Sequence, residues 1–223
     1  MMPWRALLIW VEMLGNIDTT ALAALGVVMA LLARRNYGIA ARYVALLVLA
    51  VAVGVATKLA YYGWGIRFGM GSYHGMSGHV LRSFAVYPAL AFAISTGWSE
   101  ALRVVAVLLG ALVALAVTAV IVGLHVHSPA EAISGGAVGW LVSVWLIRKD
   151  WLSPLSRPLL WMLGLAMIVI CGWVAAHPLT RYDFESKVAY VARQMRHVIG
   201  SPPCRVHNGL VECRHRQFRK DGN

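Results

Sequence analysis

Hydrophobic residues run along this chain in long unbroken blocks. Those at 17–34, 43–63, 80–97, 101–124, 129–148 and 158–177 each approach the roughly 20 residues that a helix needs to cross hydrocarbon. Alternation would point to a barrel; unbroken apolar runs predict helices, the other way to satisfy backbone N–H and C=O groups away from water. The expected fold is all-α: a polytopic bundle of about six transmembrane helices over residues 1–180, followed by a polar tail over 181–223. The opening MMPWRALLIWVEML is apolar but short, with a single basic residue, an early acid at Glu12 and no small-residue cleavage site. It reads as a retained interfacial or re-entrant helix anchored by Trp4 and Trp10.

In the tail, Phe184, Val188, Val191, Met195 and Val198 recur at alternating four- and three-residue spacing, with Lys187, Arg193 and Arg196 supplying positive charge to the other face. This is an amphipathic helix suited to a lipid surface, with packing on the bundle or on a second copy as alternatives. The segment CRVHNGLVEC then carries a hairpin signal, because both central residues of a two-residue type I′ turn need positive φ and Asn208-Gly209 supplies them. Counting outward sets Cys204 opposite Cys213 in a non-hydrogen-bonded pair, where the backbones come close enough for a disulfide. A disulfide requires an oxidising compartment; two free thiols are the plainer alternative. Cys171 lies in an apolar run without such a partner.

Composition sharpens this picture. With 60% hydrophobic and 13% charged residues and a mean hydropathy of +0.68, the chain has too little polar surface for a soluble globule. Its net charge of +11 suggests loop cations that fix topology and meet anionic head groups, with no nucleic-acid partner. Arg34, Arg35 and Arg42 follow the first block, Arg103 flanks the third, and Arg148, Lys149 and Arg157 follow the fifth. The positive-inside rule makes those loops cytoplasmic. It puts loop 64–79, turn 125–128 and the tail on the periplasmic or extracytoplasmic side of a cell (inner) membrane.

Ionisable residues near apolar spans are costly and therefore suspect. Lys58, Arg67, His74, His79 and Arg82 fall on the outer side by this topology, as do His125, His127 and Glu131. Cations and amide donors that neutralise oxygens, an imidazole that attacks phosphorus, a carboxylate that orients it and a second imidazole that protonates the leaving oxygen make a set suited to a phosphate. His127 and Glu131, four residues apart, share a helix face.

The segments HGMSGH (74–79) and HSPAEAISG (127–135) resemble the second and third signatures of the type-2 phosphatidic-acid phosphatase superfamily, which includes the vanadium haloperoxidases; the resemblance covers about residues 55–140. It implies that Lys58 and Arg67 hold phosphate, with donors from Ser77 and the Gly78 amide. His79 becomes the general acid, His127 the nucleophile that forms a phosphohistidine, and Glu131 its orienting carboxylate. The implied activity is metal-independent, cofactor-free hydrolysis of a membrane phospholipid phosphate or polyprenyl (di)phosphate that enters from the bilayer. A degenerate member that binds or moves an anionic lipid is the alternative. His74 and His125 are local hydrogen-bonding or substrate-facing residues. The chain departs from the family pattern in lacking a proline after Arg67, in Met76 before Ser77, in Glu131 for aspartate, and in Val120-Ile121 where the third signature has Ser-Arg. Arg82, three residues after His79, is the candidate substitute for the missing cation; snorkelling to lipid phosphates is its alternative fate.

Overall fold

The computed structural model describes residues 3–66, 73–148, 164–165, 169, 172–173, 184–199, 204–207 and 210–213. Among these are seven helices, α1 (Pro3–Leu14), α2 (Ile17–Ala33), α3 (Tyr37–Trp64), α4 (Gly78–Ser95), α5 (Glu100–Gly123), α6 (Pro129–Ile147) and α7 (Phe184–Ile199), and two short strands, β1 (Cys204–His207) and β2 (Leu210–Cys213). The chain divides into two compact units, one of Met1–Gly54 with Met76–Arg181 and one of Val55–Gly75 with Tyr182–Asn223.

In the first unit α4 is the hub, packed against α2, α5 and α6. Its core joins Ala23, Val27 and Leu31 of α2, Tyr43 of α3, Leu81, Ala85 and Ala89 of α4, and Val142 and Leu146 of α6. Small residues make these approaches possible. A Cβ on Gly139 of α6 would stand 2.1 Å from the Leu81 carbonyl oxygen, and one on Gly135 would stand 2.6 Å from that of Ser77. Helix packing inside a membrane gains by such backbone contact, since burial of apolar groups drives little when lipid is equally apolar.

Three helices are long and apolar enough to cross a membrane, α3, α5 and α6, and a fourth span results if α1 and α2 count as one. These two are bent by 50° at a short break, an arrangement of a broken span or re-entrant loop. The expectation of six crossings is thus met only in part. The block at 158–177 falls almost wholly outside the described residues. The block at 80–97 corresponds to α4, which is not among the lipid-like spans: it carries His79, Arg82, Ser83 and Pro88 and is enclosed by protein. A helix solvated by other helices need not be apolar on every face.

Arg34 also departs from expectation. It is buried, with its guanidinium donating to the carbonyls of Ala30 at 2.7 Å and Ala93 at 2.8 Å and to Thr96 Oγ1 at 2.7 Å. A cation there satisfies carbonyls at the C-terminal ends of α2 and α4.

In the second unit, α7 buries Val188, Ala192 and Arg196 and exposes Val191, Met195 and Val198. The apolar stripe anticipated along Val188, Val191, Met195 and Val198 is therefore split between two faces. Ala192 wins the inner position because it is small: it lies within 3.6 Å of where a Cβ on Gly63 of α3 would stand. The two strands pair antiparallel with Cys204 opposite Cys213, Arg205 opposite Glu212, Val206 opposite Val211 and His207 opposite Leu210. The turn at 208–209 lies outside the described residues.

Candidate active site

The site is assembled where the turn before α6, the start of α4 and the break between α1 and α2 meet. Ser128 caps α6 in a capping box: its Oγ accepts the Glu131 amide at 3.4 Å, and Glu131 Oε2 accepts the Ser128 amide at 3.3 Å. Pro129 occupies the first turn, where its missing N–H costs nothing. Glu131 Oε2 is thereby fixed, and it lies 2.7 Å from His127 Nδ1 with both side chains buried. With Nδ1 donating to the carboxylate, a neutral His127 imidazole carries its lone pair on Nε2.

Opposite stands the start of α4. The Ser77 amide donates to the Glu131 carbonyl at 3.0 Å, which ties the Ser-Gly-His segment to the first turn of α6. The His79 and His127 ring centroids are 6.3 Å apart. Ser77 is the N-cap residue of α4 but makes no capping bond, and its Oγ is buried without a partner among the described residues. A buried hydroxyl left unsatisfied costs on the order of 1–3 kcal/mol, so this one stands ready for a ligand oxygen.

The third wall was not anticipated from sequence. At the end of α1, the Leu14 carbonyl accepts the Tyr87 hydroxyl and the Gly15 carbonyl accepts Arg82 Nη2 at 3.2 Å. The Met13 carbonyl accepts Thr19 Oγ1 at 2.7 Å. Arg82 Nε donates to Thr20 Oγ1 at 3.2 Å, and that hydroxyl in turn donates to the Asn16 carbonyl at 2.7 Å. His79 Nε2 lies 3.0 Å from Asn16 Oδ1. Gly15 has no room for a side chain, since a Cβ would fall 2.8 Å from Val117 and 3.2 Å from His79. A broken helix must place its last carbonyls somewhere, and here α2 and α4 supply the donors. The signal for Gly15, Asn16 and Thr20 was the polar cluster GNIDTT inside an apolar run.

Arg82 makes both of its hydrogen bonds to neutral oxygens and forms no ion pair among the described residues, while its Nη1 lies 2.9 Å from where a Cβ on Gly78 would be. His79, His127, Glu131, Ser77, Gly78 and Arg82 are therefore brought together. His125 is not buried with them: it is exposed in a left-handed turn (φ 56°). Ile121 is fully buried. Lys58 and His74 belong to the second unit, where Lys58 is buried with Gly75 against its stem and His74 stacks at 4.7 Å on Tyr61. Arg67 lies outside the described residues. Among the described residues no group of three or more metal-ligating side chains converges.

No family model and no solved structure matches the chain. It is similar to an uncharacterised 22.5 kDa protein in the cps region of Klebsiella pneumoniae, 31% identical over 144 residues that make up 63% of this chain and 68% of that protein. With that identity over two thirds of the relative's length, the chain belongs to the same family as this Klebsiella protein.

Proposed function

We propose that the chain is a membrane phosphatase that hydrolyses a lipid phosphate or diphosphate through a phosphohistidine on His127. The observation that carries the reading is the His127 to Glu131 contact at 2.7 Å, with the His79 ring 6.3 Å from that of His127. One imidazole is polarised for attack, and a second stands close enough for a single phosphoryl group to meet both.

In the first step His127 Nε2 forms a bond to phosphorus while the bond to the leaving oxygen breaks. The electron pair stays on that oxygen, which takes a proton from the His79 imidazolium. Glu131 stabilises the positive charge that develops on His127. In the second step neutral His79 accepts a proton from water, the water oxygen bonds to phosphorus, and the P–N bond returns its electrons to His127. Ser77 Oγ, the Gly78 amide and Arg82 neutralise the phosphoryl oxygens, and charge stabilisation of this kind carries most of a phosphoryl transfer. The substrate arrives laterally from the outer leaflet of a cell membrane, and the tail lies on that same extracytoplasmic side.

A second reading is a catalytically degenerate protein that binds or moves an anionic lipid; buried Ile121 in place of the third-signature arginine favours it. Phosphate release by purified protein from phosphatidate, phosphatidylglycerophosphate, a polyprenyl diphosphate and lipid A separates the two. The phosphatase reading expects release from at least one of them, acid-labile phosphate on quenched protein, and loss of both in His127→Gln. Hydrolysis in His127→Gln at the wild-type rate would remove His127 as nucleophile, and absence of release from the whole panel would leave the binding reading.

A further inference from the structure

Asn16 occupies the N-cap of α2, and Asn is among the best residues for that place because its side-chain oxygen satisfies a free amide of the first turn. It does not do so here: the side chain makes no capping bond and reaches instead to His79, 63 residues away in sequence, at 3.0 Å. The N-cap side chains of Ser99 on α5 and Ser128 on α6 do cap, and the other N-cap that does not, Ser77 on α4, also belongs to the candidate site. The forgone cap is worth about 1 kcal/mol, so local stability alone would turn Asn16 inward. Local preference tends to be overruled in this way at functional sites.

We infer that Asn16 is the positioning residue of the general acid: its Oδ1 holds the Nε2 proton of His79, so that Nδ1 is the nitrogen that gives a proton to the leaving oxygen and later takes one from water. This rests on the phosphatase reading above. A neutral amide suits the role. It fixes one tautomer and the ring orientation in both protonation states, as the outer-shell partners of other working histidines do. The amide is itself held: Asn16 Nδ2 contacts Met13 Sδ at 3.1 Å, and the Asn16 carbonyl accepts Thr20 Oγ1, the hydroxyl that receives Arg82 Nε. The break between α1 and α2 thus holds the acid and the adjacent cation through one residue.

The test compares two leaving groups on full-length protein: a lipid phosphate, whose alkoxide needs a proton, and 4-nitrophenyl phosphate, whose phenolate leaves without one. Asn16→Ala should slow lipid phosphate release by roughly 10- to 100-fold, as loss of a histidine's orienting partner does. It should slow 4-nitrophenyl phosphate by no more than about threefold, because general acid catalysis then contributes little. Asn16→Asp retains an Oδ1 acceptor in the same place and should keep most of the lipid activity. Equal losses on both substrates, or wild-type behaviour of Asn16→Ala on the lipid, overturns the assignment while the phosphatase reading stands. A wild-type protein that hydrolyses neither substrate overturns both.

Discussion

Glu131 Oε2 binds His127 Nδ1 at 2.7 Å and the Ser128 amide at 3.3 Å, so one oxygen both orients the candidate nucleophile and closes the cap of its helix. The two duties separate on substitution. Glu131→Gln keeps an acceptor for the amide but no longer offers the imidazole a charge, and should lower turnover by about 10²-fold at the upper end of what an orienting partner contributes. Ser128→Ala removes the hydroxyl that receives the Glu131 amide; it should cost about 1 kcal/mol of stability, with smaller effect on turnover. Thermal melting in detergent beside phosphate release checks both; a Glu131→Gln enzyme as fast as wild type would leave the carboxylate with only its capping role.

Part of this arrangement was legible in the sequence. The contact between His127 and Glu131 follows from a four-residue spacing, and Ser128, Pro129 and Glu131 spell a helix start. The runs that became α3, α5 and α6 are apolar enough to stand in lipid on length and composition alone. What could not be read is what each face meets. Hydropathy scores α4 against lipid, whereas its neighbours are α2, α5 and α6, so its polar residues looked like span-end features instead of the hub of the bundle. Thr20 was absorbed into the block at 17–34, and Asn16 just before it passed unnoticed, for the related reason that their partners, Arg82 and His79, lie more than sixty residues away. The stripe on α7 reads as a face for lipid, and Val191, Met195 and Val198 along it are exposed; what periodicity does not show is that Val188 and Ala192 turn inward, Ala192 at the close approach to Gly63.

The strand register bears on redox state. Cys204 pairs with Cys213 at the open end of the ribbon, and in a non-hydrogen-bonded antiparallel pair the Cα atoms are about 4.5 Å apart, within disulfide reach. Protein isolated without reductant should leave both thiols unlabelled by maleimide and label both after reduction, and Cys204→Ser should free Cys213. Labelling of both before reduction would mean that the tail meets a reducing compartment. A reporter fused after Asn223 should then report the cytoplasm, reversing the proposed orientation.

Arg82 has two possible duties, and the geometry distinguishes their consequences. Its bonds to Gly15 O and Thr20 Oγ1 tie α4 to the break between α1 and α2, while its charge has no carboxylate among the described residues and its Nη1 lies over Gly78. A guanidinium within a bundle of membrane helices is costly unless an anion meets it, and a phosphoryl group would do so. Lysine cannot copy the fork that serves both partners and a bidentate ligand, so Arg82→Lys should lower phosphate release by about 10²-fold, and Arg82→Ala by more. Thr20→Val deletes one acceptor and keeps the charge. If Arg82 serves phosphate, Thr20→Val should melt a few degrees lower yet turn over within about threefold of wild type, since one net hydrogen bond is worth about 1 kcal/mol. If Arg82 is only a tie between helices, Thr20→Val and Arg82→Lys should lose stability together, with turnover following the folded fraction in both. Near-wild-type release by Arg82→Lys at full folding would remove Arg82 from the proposed phosphate site.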